Sequence, residues 1–394
     1  MTTCFNRLLN CLPHLSLILL LAVAAQVRAA TLRVGPDQPI KRIADAAFLA
    51  KDGDIVEIRP GEYRGDVAVW TQKKLTIRGV GGIPVLIANG RSAEQKAIWV
   101  IRNGDFNIES IEFRGARVTH DNGAGIRFER GRLTVRNCRF IDNQNGILTG
   151  NHPDTELAIF DSHFSDAPRQ PGALTHLLYA GRIARLLVQG SRFENGFEGH
   201  LIKSRARISD IRYNWLVDGN KGEASYEIDL PDGGVGIVVG NFIGQSPHTQ
   251  NPVLVAYGAE GRFWNENALT LNHNTLISTR KEASVFLRVW QGLLDDTVRI
   301  VAANNLLVGD GMFRAGDTAL LMGNHPITPA ELVDGYTPSD TARRRIPPAR
   351  PLPGAMDDDA APVSEYVPPT GRRPIPKRYG GAHLIPGAAQ SPRP

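Results

Sequence analysis

The sequence predicts an all-β chain: a single-stranded right-handed parallel β-helix with an N-terminal capping helix and a Pro-rich extended C-terminal segment. Two observations carry this. The first is a phrase that recurs without any long helical period between its copies. It reads LTVRNCRF at Leu133–Phe140, LAIFDSHF at Leu157–Phe164, LLVQGSRF at Leu186–Phe193 and IRYNWL at Ile211–Leu216, with weaker copies at Ile237–Ile243, Leu269–Leu276 and Val298–Leu306. The second is its spacing. From Phe113 through Phe140, Phe164, Phe193, Leu216, Ile243, Leu276 and Leu307 the steps are 27, 24, 29, 23, 27, 33 and 31 residues. Repeats of that size without helices indicate stacked coils, whereas propeller blades run about 40–45 residues. Alternating apolar residues turn one side of each strand inward. The polar residue at the corner, Asn or Asp in most copies, tolerates a left-handed backbone and can hydrogen-bond from coil to coil.

In chain order, residues 1–29 read as a signal peptide. Arg7 supplies the positive start, Leu15–Ala25 an apolar run, and Val27-Arg28-Ala29 a small-x-small cleavage site. The run is too short to cross a bilayer as a helix, so export to the periplasm or the extracellular space is expected, with no membrane segment after cleavage. Cleavage lowers the net charge from +5 to +3 by removing Arg7 and Arg28. That mild basicity gives no pointer to nucleic acid. Cys4 and Cys11 leave with the signal, so Cys138 stands alone and is expected in the core, with no internal disulfide. A helix over Ile40–Ala50 then plugs the open bore, followed by the strand Ile55–Ile58 and the turn Pro60–Tyr63. Such a plug is needed because an uncapped coil exposes a sheet edge and an apolar interior. The coils run over 30–325. Beyond them lie fifteen of the 26 prolines, from Pro326 to Pro394. This segment is expected to pack extended along the outside of the coils and to fray after about residue 384.

Chemistry is expected on the strand that follows each phrase. Three such strands align without gaps at 24-residue steps: HLLYAGR at His176–Arg182, HLIKSR at His200–Arg205 and ASYEIDL at Ala224–Leu230. That register puts Tyr179, Lys203 and Glu227 in one column, His176 beside His200, and Arg205 beside Asp229. Alternation then sends Tyr226, Ile228 and Leu230 inward and Glu227 and Asp229 outward, about one strand spacing (~4.8 Å) from the cations. Sugars that bear carboxylates need cations on such a face, because the carboxylate loses water on binding. The plain alternative is a set of surface ion pairs contributing about 0.2–1 kcal/mol each.

The stretch Glu198–Ser204 (EGHLIKS), followed by Ile211–Leu216, resembles the core motif of chondroitinase-B-type and alginate lyases. These are parallel β-helix enzymes. The resemblance covers about 25 residues of the 394. It implies that Lys203 takes the C5 proton of a uronate, and that calcium, if used, offsets the substrate carboxylate. Where that family has an Arg-His pair, this chain has Tyr226 and Glu227. The residues therefore leave Lys203 or Tyr179 as base, with Arg205 stabilising the enolate and His200 shuttling a proton; His176, Arg182 and Tyr257 are assigned as substrate contacts. Two other readings stand beside a lyase or epimerase of acidic polysaccharide. One is an inverting glycoside hydrolase using Glu227 and Asp229, which are roughly 6.5–7 Å apart by strand rise. The other is a glycan-binding protein without turnover. Asn151–Asp154 (NHPD) reads as a turn, His248 as a loop residue near the same groove end, and Asp357–Asp359 as a solvated charge run. The tryptophans Trp99, Trp215, Trp264 and Trp290 read as packing residues that could also stack on sugar rings. No phosphate loop, zinc spacing or serine triad is present.

Overall fold

A computed structural model describes residues 29–295, 297–353, 360–376 and 384–391. All of the expected signal peptide but Ala29, the Asp357–Asp359 run and residues 380–383 lie outside these. The chain is a parallel β-helix whose coils contribute to three sheets of twelve, eleven and ten strands. In the eleven-strand sheet Phe113, Phe140, Phe164, Phe193, Leu216, Ile243, Leu276 and Leu307 pair in succession, which is the row the sequence steps mark. Placing an aromatic ring at the same inward position of successive coils, one strand spacing apart, forces the rings to stack. The centroids of Phe113, Phe140, Phe164 and Phe193 lie 5.1, 4.6 and 4.6 Å apart, and Trp99 meets Phe113 edge-on at 4.9 Å. Among the described residues no helix is long and apolar enough to cross a membrane.

At the corner between the twelve- and eleven-strand sheets the structure divides a task that the sequence assigns to one residue. The left-handed backbone falls at Asn137, Asp161, Gly190, Tyr213, Gly240, His273 and Asn304. The residue after each of these turns inward and carries the ladder. Ser162 Oγ accepts from Cys138 N–H at 3.1 Å, Ser191 Oγ from Ser162 at 3.1 Å, and Asn214 Oδ1 from Ser191 at 2.9 Å. Asn241, Asn274, Asn305 and Asn324 continue it at 2.9–3.0 Å. Cys138 heads this row with a buried thiol, and burial pushes its pKa up to about 12.

The capping helix spans Ile43–Leu49 and buries Ile43, Ala46 and Ala47. The Asp66 carboxylate accepts from its first amides, Ile43 N–H at 2.6 Å and Ala44 N–H at 3.0 Å, which otherwise lack partners. At the other end the chain leaves its last coil at Ile327 and runs back along the outside of the twelve- and eleven-strand sheets. Asn304 Oδ1 accepts from Arg350 N–H, Tyr213 Oη from Val363 N–H, and Thr275 Oγ1 from Ala388 N–H. Residues 385–391, expected to fray, are instead seated, with Ala388 packed against Val217, Phe242 and Tyr366. These contacts lie away from the ten-strand sheet, whose outer face carries the candidate site.

Candidate functional site

The ten-strand sheet corrects the gapless register. Lys203 pairs with Tyr179 on one side and with Asp229, not Glu227, on the other, while His200 pairs with Tyr226. The step from Lys203 is therefore 26 residues. The connection 218–225 is three residues longer than its counterpart 195–199 and 205–207 is one shorter than 181–184, a net gain of two. The longer connection is held compact because the Asp218 carboxylate accepts from Gly196 and Ala224 N–H at 2.6 and 2.8 Å.

Facing is corrected as well. Leu177 and Leu178, Leu201 and Ile202, and Leu254 and Val255 all belong to the core, so two consecutive side chains turn inward where each strand leaves its corner. Strict alternation fails there. Glu227, next to Ile228, takes the inward position occupied by Leu201 in the preceding coil and is fully buried. Tyr226, expected inward, faces out and stacks on His200 at 4.8 Å. Ile228 and Leu230 are inward as expected, and Asp229 is outward beneath Lys203. Glu227 and Asp229 thus do not share a face, and the hydrolase pair is not assembled. Tyr257 is also corrected. It is buried in the core and donates from its hydroxyl to Gly234 O at 2.6 Å; burial raises its pKa, so it is not a substrate contact.

The remaining candidates converge. Lys203 Nζ lies 3.2 Å from Asp229 Oδ2 and 3.4 Å from Glu260 Oε1, with the Tyr179 ring centroid 5.8 Å away. Arg205 donates from Nε to Tyr179 Oη at 2.9 Å, from Nη2 to both Glu260 oxygens at 2.8 and 2.7 Å, and from Nη1 to Asp232. Arg182 donates to the other Asp232 oxygen at 2.6 Å and lies over the Phe263 ring at 4.0 Å. Burial opposes the charge of Arg205, yet its bonds to Glu260 and Tyr179 and the charge of Asp232 outweigh it, so its pKa rises. Burial likewise opposes Asp229 and Glu260, and their basic partners still hold both below the usual carboxylate range. Lys203 and Arg205 are only 12% and 14% exposed, so these are partly dehydrated charges rather than a solvated surface pair.

Beside them runs a ring stack, with His176 and His200 4.8 Å apart and Tyr226 next. His176 Nδ1 accepts from His200 N–H at 3.0 Å, and burial followed by the charges of His200, Lys203 and Arg205 holds its pKa well below the ordinary value. His200 Nδ1 accepts from Tyr226 N–H at 3.3 Å while Nε2 lies 3.2 Å from Asp229 Oδ2. That geometry assigns the proton to Nε2.

Glu260, Asp232 and Phe263 were not found from the sequence. They come from connections between strands, where no period operates. Of the tryptophans, Trp264 Nε1–H donates to Arg205 O at 3.0 Å, Trp290 stacks against Arg288, Trp99 is core, and Trp215 packs against Tyr336. His248 lies with Glu198, Glu223 and Asn251 around a cavity of about 290 Å³ at the amino-terminal edge of the same strands. In the turn after Asn151, Asp154 pairs with Arg130 at 2.5 Å. A calcium site does not fit here: Asp229, Asp232 and Glu260 are each engaged by lysine or arginine, and among the described residues no group of three or more His, Cys, Asp and Glu could hold a metal.

The chain is similar in structure to a solved pectate lyase, Pel9A, with a TM-score of 0.54 over 92% of this chain and 96% of that one. Sequence identity is 12%, so the likeness is one of fold. No protein-family model and no curated protein matches the chain.

Proposed function

We propose that the outer face of the ten-strand sheet binds an acidic, uronate-containing polysaccharide and that Tyr179 abstracts its C5 proton. The observation that carries this is the Arg205–Tyr179 bond, 2.9 Å from Nε to Oη, beside two partly buried cations on an outward face. With its own proton already lost to solvent, a phenol oxygen that accepts from a guanidinium has its negative charge compensated. It takes the C5 proton to become the phenol that later protonates the leaving oxygen, and the same cations can stabilise the enolate formed on the substrate carboxylate. Lys203 suits the base less well, because its amine already contacts Asp229 and Glu260. In the lyase outcome the C5–H electron pair forms a C4=C5 double bond, the C4–O bond breaks, and the departing oxygen takes a proton from Tyr179 or His200. In the epimerase outcome C5 is reprotonated on its other face. The name of the structurally similar protein puts an acidic polysaccharide on this fold. Export by residues 1–29 belongs to the same proposal, since such a polymer lies outside the cytoplasm.

The test is ultraviolet absorbance of unsaturated uronate ends with alginate, polygalacturonate and glycosaminoglycans. The wild type is expected to act on one of them, and Tyr179→Phe to lose roughly 100-fold or more in rate with binding kept. Loss in Lys203→Ala with activity kept in Tyr179→Phe would move the base to Lys203. Binding without an unsaturated product or a change in epimer content would favour a second reading, a glycan-binding protein. That reading is supported by the cations each being paired with a carboxylate already.

A further inference from the structure

We propose that Arg205 and Lys203 form a carboxylate-binding subsite which Glu260 occupies in the free chain, so that a uronate carboxylate binds by displacing Glu260. This rests on the polysaccharide reading above and assigns the position of one substrate group within it.

The network holds three cations, Arg182, Lys203 and Arg205, and three carboxylates, Asp229, Asp232 and Glu260. Two of the carboxylates are fixtures. Asp232 is 2% exposed and bridges Arg182 and Arg205, while Asp229 is 3% exposed and lies under Lys203 and His200. Glu260 differs. Its side chain is 50% exposed, it approaches from the solvent side, and both its oxygens reach Arg205 while one also reaches Lys203. This is the arrangement of a guest carboxylate between two cations whose other partners are already in place. Exchanging one carboxylate for another leaves the local charge balanced, so a uronate group can enter without stranding a buried charge.

The exchange also needs little of the backbone. Glu260 N–H is bonded to Pro231 O at 3.0 Å and Gly258 N–H to Leu230 O at 2.9 Å, so the connection stays anchored while the side chain rotates into solvent. A carboxylate in that place would sit on the guanidinium that also contacts Tyr179 Oη, bringing the sugar's C5 towards the proposed base. A self-occupied site has a cost for the ligand, because apparent affinity falls by the fraction of molecules in which the site is open.

The experiment compares wild type, Glu260→Gln and Glu260→Ala in calorimetric titration with polygalacturonate and alginate, and in thermal shift with acetate at constant ionic strength. Both variants are expected to bind polyuronate roughly tenfold or more tightly than wild type. They are also expected to gain an acetate-dependent rise in Tm that wild type lacks. Adding Arg205→Gln to Glu260→Gln should remove both gains. Unchanged or weaker polyuronate binding in both variants, with no acetate response, would overturn the proposal and make Glu260 a support for Arg205. An acetate response gained by the variants without any polyuronate binding would keep the displaced carboxylate and sink the polysaccharide reading. Tight polyuronate binding that is equal in all three proteins would do the reverse.

Discussion

Glu227 carries a carboxyl group into an inward row where its neighbours in the adjoining coils are Leu201 and Leu254, and neither of its oxygens has a hydrogen-bond partner. Burial, then the neighbouring charge of Asp218, pushes its pKa well above the ordinary value, and burial pushes Asp218 up to about 7. Both groups bind protons more tightly folded than unfolded. Their contribution to stability is therefore complete below the ordinary carboxylate range, about pH 4, and is lost as pH rises through the folded values. Glu227→Leu is expected to raise stability at neutral pH by about 1–3 kcal/mol and to flatten the fall above about pH 5. Urea unfolding across that pH range checks it, and a destabilised variant would mean the carboxyl has a partner inside. Tyr257 gives a second residue-scale expectation. Tyr257→Phe removes the bond to Gly234 O and should cost about 1 kcal/mol while leaving polyuronate binding unchanged. Weakened binding in a variant of unchanged stability would return Tyr257 to the site.

At the scale of elements, the asparagine ladder explains how a corner without helix or hairpin keeps its backbone groups bonded. Asn241 receives Asn214 N–H and Nδ2, and its own Nδ2 reaches Ile211 O, Val239 O and Asn274 Oδ1. Ser191 in the same row receives only Ser162 N–H and donates at 3.3 Å to Gln189 O. Asn241→Ala should therefore cost about 2–4 kcal/mol in denaturant unfolding, because buried donors and acceptors are left without partners. Ser191→Ala should cost about 1 kcal/mol. Equal losses would mean that the ladder acts through packing alone. The strands themselves were legible as elements. The alternation that places side chains on their two faces was legible in the twelve- and eleven-strand sheets, but not at the entry to the ten-strand sheet, where paired residues such as Leu201 and Ile202 both turn inward.

At the scale of the whole molecule, each coil touches mainly its two neighbours, so stability is close to a sum of coil and interface terms. The middle coils around Tyr179 and Lys203 have a partner on both sides. The strand Thr31–Val34 has one partner within its sheet, and Leu320–Met322 likewise ends its row. Native-state hydrogen exchange should accordingly be slowest in the strands His176–Ala180 to Val253–Tyr257 and faster in both end strands. Uniform protection would instead indicate a single cooperative unit, held together by the C-terminal segment that runs along the coils.

The sequence by itself determined the stacked-coil architecture, the inward row from Phe113 to Leu307, the capping helix, and the grouping of Tyr179, Lys203 and Arg205 on neighbouring coils. Those features recur because backbone pairing between neighbouring coils forces the same residue type into the same position at each turn. Only the tertiary structure decided that Asp229 rather than Glu227 completes the column and that Glu227 and Tyr257 face the core. Only there did Asp232 and Glu260 close the charge network from connections outside the repeat. Connections change length from coil to coil, here by three residues after Val217 and by one after Ser204, without disturbing the ladders on either side. Nothing periodic in the sequence therefore records where the next strand resumes, or which loop side chain folds back over the face.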